Sequence, residues 1–418
     1  MLSGIGFTMI NNNSLASNSI ESASFAENLI PNVGGVDDEI YWKKVRTLFQ
    51  VPEGFINLEN GYFSPQPKST LAFHQNRESY INKNTSWFMR KEQSQAIEAS
   101  RNNLAAFLGC LTNELALTRN TTESMNIVIN GYPWAFGDEV VIGNQDYGSM
   151  VSAYHQAAKR YGIIIKVAEI PLHPQSIEEV VSAYTKLFTS RTRLVHITHL
   201  INLTGQVIPV AAIAERAKSA GVEVMVDSAH AVAHLKFMLP DLNADYVGAS
   251  LHKWLCNPLG AGFLWMKSEH IHKIFPLTAD EDYPINDIRK FEHQGTRPIQ
   301  SLETIAESIK FHESIGSELK QNRLRYLMRY WVNQVKSIPK ITINTPTLND
   351  SECCAIANIA MEGFTPGELA ETLLKEHGIF TVAIDHVAVK GIRVTPHLYN
   401  TIEELDQFVK ALKKIAIK

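Results

Sequence analysis

From residue 51 onward the chain alternates short apolar runs with amphipathic stretches. Runs at 114–117, 139–143, 163–169, 193–198, 222–226, 244–247 and 262–266 read as strands, and several are rich in Val and Ile, as strands buried on both faces are. Between them, 122–131, 149–161, 176–187 and 209–220 carry apolar residues at helical spacing. Gly162 and Gly221 fall just past two of these helices, where a left-handed cap belongs. Strand–helix–strand alternation of this kind predicts a mostly parallel, seven-stranded sheet covered by helices on both faces. The pattern changes near residue 300. A long helical stretch over 301–338, broken near Gly316, leads to strands at 341–344 and 353–361, a proline-started helix at 365–377, short strands around 380–384 and 391–396, and a final helix at 402–417. This predicts a large domain over 56–300 and a smaller α+β domain over 301–418. A segment over 36–55, helical at 37–49, packs with the small domain.

Composition excludes more than it assigns. A chain of 418 residues buries enough surface for two cores. A net charge of -4, with both signs interspersed, gives no electrostatic reason to bind nucleic acid or an anionic membrane. No apolar run reaches the length of a membrane span. The four cysteines, Cys110, Cys256, Cys353 and Cys354, show no CxxC spacing, so they read as reduced structural thiols and no metal is expected. Residues 2–10 are apolar and a Ser/Asn/Ala-rich stretch follows. Residues 1–35 therefore read either as a disordered tail, which fits a cytoplasmic protein, or as the remnant of a twin-arginine export signal, which fits a periplasmic one.

Ligands of parallel α/β sheets sit beyond the carboxyl ends of the strands, so the residues that follow each strand are the informative ones. Asp227-Ser228-Ala229-His230 follows one strand, and Gly248-Ala249-Ser250-Leu251-His252-Lys253 follows the next. Asp227 and Lys253 are one strand–helix–strand unit apart and arrive at the same edge. By themselves they fit a structural ion pair as well as a site for a phosphorylated aldehyde, in which Lys253 forms an imine and Asp227 keeps the pyridine nitrogen protonated. Thr121 and Thr122 open a helix after a strand, which offers hydroxyls and free N–H groups to a phosphate and is also an ordinary helix cap. Asn202 follows the next strand. Tyr147 follows the 139–143 strand, where its ring lies over a planar ligand or simply packs.

The segments TRNTTESMN, HLINLTGQVIP, VDSAHAV, GASLHKW and IRVTPHLYNT together resemble class V of the pyridoxal-phosphate aminotransferases. This family includes cysteine desulfurases, selenocysteine lyase, kynureninase and isopenicillin N epimerase-like proteins. The resemblance runs from about residue 56 to the C-terminus. It implies the aspartate-aminotransferase fold (fold type I) and pyridoxal 5'-phosphate as cofactor. By position Lys253 resembles the cofactor-holding lysine and Asp227 the partner of the ring nitrogen. His230 and Asn202 resemble the residues near the ring hydroxyl. Tyr147 takes the stacking position, and Thr121, Thr122, Ser250 and His252 resemble phosphate ligands. Thr296, in FEHQGTRP, resembles the segment that reaches the phosphate of the partner subunit, which implies a homodimer. Arg393 resembles the arginine that grips the substrate carboxylate, for which a bidentate fork is apt. Asn60, in LENGYFSP, lies where the family's N-terminal segment enters the substrate site, and residues 87–90 are expected to help shape the pocket.

The resemblance implies an enzyme acting on an α-amino acid. Two departures bear on the reaction. Desulfurases carry a cysteine shortly before the carboxylate-binding arginine, and 380–393 has none. They usually have histidine where Tyr147 stands. Both point to the isopenicillin N epimerase-like branch, as an epimerase or aminotransferase. A carbon–sulfur lyase that needs no cysteine is the alternative, and a non-catalytic cofactor-binding protein is the alternative of another class.

Overall fold

The computed structural model describes residues 34–346 and 349–417. The tail over residues 1–33, with its two readings, lies outside the described residues.

Strand β1 (Ile56–Asn57) precedes the main sheet. That sheet is built from β2 (Leu115–Thr118), β3 (Glu139–Gly143), β4 (Ile164–Ala168), β5 (Thr192–Thr198), β6 (Glu223–Asp227), β7 (Tyr246–Ser250) and β8 (Gly262–Met266). Its order is β2-β8-β7-β6-β5-β3-β4, and only β8 runs against the others. Strands β2, β3, β7 and β8 are buried throughout, which explains their unbroken apolar runs. Edge strand β4 is part-exposed. The helices α1 (Glu39–Thr47), α2 (Lys68–Lys91), α3 (Gln93–Leu108), α4 (Thr121–Gly131), α5 (Gly148–Tyr161), α6 (Ile177–Thr185) and α7 (Val210–Ser219) come before or alternate with these strands. Gly162 and Gly221 adopt the left-handed conformation expected of them, at φ 72° and 70°.

Two apolar layers flank the sheet. One gathers Leu117, Val195, Val226 and Val247 with Ile213 and Leu104. The other gathers Ala116, Val140, Met225 and Leu264 with Met125, Val128 and Tyr154. Each such buried aliphatic side chain contributes roughly 1.5–3 kcal/mol. The first layer extends past residue 300, taking in Ile305, Ile309 and Leu324.

The helical stretch after residue 298 is three helices: α8 (Ile299–Glu303), α9 (Ile305–Ile315) and α10 (Ser317–Val335). The expected break falls at Gly316, at φ 89°. Strands β9 (Ile341–Ile343), β10 (Ala357–Met361), β12 (Val382–His386) and β13 (Val389–Val394) form an antiparallel sheet in the order β12-β13-β10-β9. Helix α10 and the final helix, α12 (Ile402–Ile417), share a core with it through Trp331, Leu327, Phe408, Leu412, Ile359 and Ile392. The proline-started α11 (Pro366–His377) is closed by a Thr365–Glu368 capping box. Helix α1 makes ion pairs from Glu39 to Arg323, Lys43 to Glu403 and Arg46 to Glu404, while its Trp42 and Val45 join the first apolar layer.

One connection matters for the site. Strand β1 pairs in parallel with β11 (Ile379–Phe380), and Glu59 forms a bridge with Thr395. The Leu58–Ser64 segment is thereby sewn to the end of β13, which carries Arg393.

Three expected boundaries move. The strand placed at 244–247 runs over Tyr246–Ser250 instead, because Gly248 still pairs with β6 and Gly248-Ala249-Ser250 continues to pair with β8. These small residues have a packing reason: a Cβ on Gly248 would stand 2.4 Å from Met125 Cε. The strand placed at 353–361 begins only at Ala357, so Cys353 and Cys354 sit in the approach to it, both buried. The strand placed at 391–396 is Val389–Val394.

Candidate active site

The parallel strands deliver their C-terminal ends to one edge, and a cavity of about 260 Å³ lies there. Thr121 and Thr122 open helix α4 just after β2, Tyr147 comes from the loop after β3, Asn202 from that after β5, His230 from that after β6, and His252 and Lys253 from that after β7. Asp227 and Ser250 are themselves the last residues of β6 and β7. All nine line the cavity together, and Arg393 lines it with them.

At one end, helix α4 starts against β7. Asn120 caps it, its side chain accepting the Glu123 amide at 3.0 Å. The Thr121 amide donates to Ser250 Oγ at 2.9 Å, and the two hydroxyls lie 2.8 Å apart. Free N–H groups and hydroxyls at a helix N-terminus make an anion cradle. Its closeness depends on Gly262 of β8, where a Cβ would stand 2.8 Å from Asn120 Cα.

At the centre, Lys253 Nζ stands 3.0 Å from His230 Nε2, and Trp254 Nε1 donates to His230 Nδ1 at 3.4 Å. Asp227 Oδ1 accepts the Ala229 amide at 2.9 Å. Burial pushes the Asp227 carboxyl above its ordinary range, against the opposing pull of His196 and Lys253. Burial also lowers Lys253 to about 8, with Asp227 pulling the other way. The same desolvation takes His252 to about 4 and His230 well below its usual value, so both imidazoles are neutral at pH 7. Asn202 Oδ1 and His252 Nδ1 are buried without a hydrogen-bond partner among the described residues. Buried polar atoms of this kind call for a polar ligand. An anion cradle, an amine, a carboxylate and two unpartnered polar atoms around one cavity suit a phosphorylated pyridine aldehyde.

Arg393 is held by Glu59. Its Nε donates to Oε2 at 3.1 Å and its Nη2 to Oε1 at 2.6 Å, while Nη1 donates to the Asn202 carbonyl at 3.1 Å. Both side chains are almost fully buried. Gly61 allows this closeness, since a Cβ there would lie 3.2 Å from Arg393 Cζ.

Two expected site residues are placed differently. Asn60 is fully buried and does not line the cavity. Its Nδ2 donates to the Thr395 carbonyl at 2.8 Å and its Oδ1 accepts from Tyr399 at 2.7 Å, so its amide is used up in joining β1 to β13. Gly61 and Tyr62 line the cavity instead, and Glu59 sits behind Arg393 as its partner. Thr296 is exposed and outside the chain's own cavity, in a loop held beside α4 by Gln294 donating to Glu123 at 2.7 Å. The 87–90 segment does not line the cavity: Phe88 is buried in the core beneath α2 and Trp87 is exposed.

Comparison with known proteins adds the following. The sequence model of the family described as "Aminotransferase class-V" matches residues 65–408. Isopenicillin N epimerase of Streptomyces clavuligerus is 24% identical over 387 residues, covering 89% of this chain and 97% of the epimerase. A probable cysteine desulfurase of Xylella fastidiosa is 25% identical over 409 residues, covering 90% of this chain and 95% of its own length. Among solved structures, a mutant of C-DES with glycine covalently linked to its PLP cofactor superposes with a TM-score of 0.79 at 19% identity, covering 88% of this chain and 98% of that one.

Proposed function

Because the chain belongs to the aminotransferase class-V family, we propose that it is a pyridoxal 5'-phosphate enzyme that acts at the α-carbon of an amino acid, as an epimerase or an aminotransferase. One observation carries the reading: Lys253, Asp227 and Arg393 face one cavity from three separate elements, with the Thr121–Ser250 anion cradle at its end. Bound pyridoxal phosphate supplies an electron sink for the carbanion formed when an α-proton leaves.

The chain's own groups divide the work. Thr121, Thr122, Ser250 and His252 hold the phosphate, and Tyr147 covers the ring. Asp227 holds a proton on the ring nitrogen, and that new cation restores the carboxylate that burial disfavours. Asn202 and His230 bond the ring oxygen. Lys253 Nζ, lowered toward neutrality by burial, would hold the aldehyde carbon of the bound group and, when free as an amine, could take the α-proton as general base. Arg393 keeps N–H groups beyond those given to Glu59 and Asn202, and these orient the substrate carboxylate. Asn60 positions the segment that carries Glu59.

The protein is read as a homodimer in which Thr296 reaches the partner's phosphate. The exposure of Thr296, and of Tyr62 and Leu259 at the cavity mouth, supports this. Among the described residues no helix is long and apolar enough to cross a membrane. We place the enzyme in the cytoplasm, where buried thiols such as Cys256 and Cys354 stay reduced.

A persulfide mechanism is disfavoured. The hairpin before Arg393 has no cysteine, and burial pushes the Cys354 thiol up to about 12. Elimination of a side-chain sulfur without a protein thiol is the second reading, favoured by that same cysteine-free hairpin. The test is incubation of the cofactor-loaded protein with single amino acids in D2O. Deuterium entering at the α-carbon supports the proposal, with racemic product marking epimerisation and oxo acid marking transamination. Release of sulfide and pyruvate from cysteine marks the lyase. No exchange with any amino acid would mean a non-catalytic cofactor-binding protein.

A further inference from the structure

We propose that Trp254 is a positioning residue that fixes His230 as its Nε2–H tautomer, so that this imidazole donates into the cofactor cavity. The inference rests on the reading of Lys253 and His230 as cofactor-facing groups and goes beyond it.

An indole Nε1 can only donate, and a neutral imidazole has one donor and one acceptor nitrogen. Trp254 Nε1 donates to His230 Nδ1 at 3.4 Å, which makes Nδ1 the acceptor and leaves the proton on Nε2. Nε2 stands 3.0 Å from Lys253 Nζ. An ammonium has no acceptor, so this contact is a hydrogen bond only if Lys253 is an amine. The tautomer that Trp254 selects is therefore the one that suits a nucleophilic, neutral Lys253. When Lys253 is engaged, the same N–H is the donor available to the cofactor's ring oxygen.

The indole itself is held from several elements. Trp254 is fully buried and stacks on His234, with centroids 3.7 Å apart and an angle of 23°, and on His397 at 5.6 Å and 21°. His234 has its own fixed tautomer. Its Nε2 accepts the Ala355 amide at 3.0 Å, so its Nδ1–H donates to the His230 carbonyl at 2.8 Å. Lys320 donates to the Trp254 carbonyl. Charges facing Lys253 come from Asp227, Arg393 and Glu59, and those facing His230 come from Lys253, Arg393, His234 and His252. A Trp254→Phe change keeps those charged groups and an aromatic ring, but it removes the N–H that selects the tautomer along with part of the buried ring, so the experiment must separate the two effects. His230 can then accept at Nε2 from an ammonium, which favours the charged form of Lys253.

The experiment uses the cofactor-free protein. Lys253 is pulse-acetylated across a pH series and quantified by peptide mass spectrometry. The wild-type midpoint is expected near 8. In Trp254→Phe it should move up by about one unit, which lowers Lys253 labelling at pH 8 about fivefold. In a His230→Gln background, where no tautomer exists to be selected, the added Trp254→Phe should leave the midpoint where His230→Gln alone puts it. An unchanged or lowered midpoint in Trp254→Phe overturns the proposal, and so does an equal shift in the His230→Gln background, which would mean that the indole acts by packing alone. If Trp254→Phe does not fold, 15N-histidine correlation spectra of the wild-type protein decide directly: an Nδ1–H signature for His230 overturns the proposal. A protein that never takes up pyridoxal phosphate would end the functional reading and leave these cofactor-free measurements standing.

Discussion

The Glu59–Arg393 pair gives a prediction whose size follows from its burial. Glu59 accepts two donors from Arg393 and the Tyr62 amide at 2.8 Å, and the two side chains retain 4% and 7% of their surface. Removing one member of such a pair leaves a charge in a low-dielectric site, which costs about 3–5 kcal/mol. Arg393→Met should therefore destabilise the protein by roughly that amount, and Glu59→Gln by a similar one. The double variant removes both charges, so its loss should fall short of the two single losses added together by about 3 kcal/mol or more. Urea unfolding of the four proteins measures it. Function should split from stability. Arg393→Met loses the carboxylate fork and should lower kcat/KM by about 30- to 1000-fold, on the basis of about 2–4 kcal/mol for charged hydrogen bonds to substrate. The double variant should be refolded yet just as inactive. Additive stability losses of under about 1 kcal/mol each would mean that the pair behaves like an exposed ion pair, and the account of this wall would be wrong.

Other outcomes follow from the same geometry. Asp227→Ala should keep the fold and lose turnover by orders of magnitude, since the ring nitrogen loses its partner; unchanged steady-state rates would refute the assignment. Gly262→Ala should weaken cofactor retention in equilibrium dialysis, because its Cβ would push the α4 N-terminus through Asn120 Cα at 2.8 Å. Asp146, fully buried and accepting from Thr198 and the Gly143 amide at 2.7 Å each, is raised by burial to about 7. Between its unfolded value near about 4 and this folded value the native state binds more protons, so this group's contribution to stability is full at low pH and is lost as pH rises through 7. Relative to Asp146→Asn, wild type should lose stability over that window in urea titrations; a flat difference would refute the burial argument.

Much of this was legible in the sequence because buried parallel strands announce themselves. The Val- and Ile-rich runs mark β3, β5 and β6, and the strand-end rule then brings Thr121, Asn202, Asp227 and Lys253 together. Helices α2 and α3 gave no clear apolar face. Thr70 and Phe88 are the only buried residues of α2, and α3 buries Ser100 and Arg101 beside its aliphatics, with Arg101 paired to Glu292. A polar interface satisfied by a distant carboxylate has no periodic signature. Glu59 was missed for a different reason. Neighbouring residues of an extended segment point to opposite sides, and LENGYF does not say which of Glu59 and Asn60 reaches Arg393. The answer lies in the pairing of Glu59 with Thr395, more than three hundred positions away. The role of Trp254 likewise depends on two rings, His234 and His397, that only the fold brings to its faces.

The central claim is that Lys253 holds the cofactor, and peptide mapping after borohydride reduction tests it most directly. Protein incubated with pyridoxal 5'-phosphate and reduced should carry one covalent phosphopyridoxyl group, on the peptide containing Lys253, and Lys253→Ala should carry none. A label on a different lysine, or none on the wild-type protein, would contradict the account.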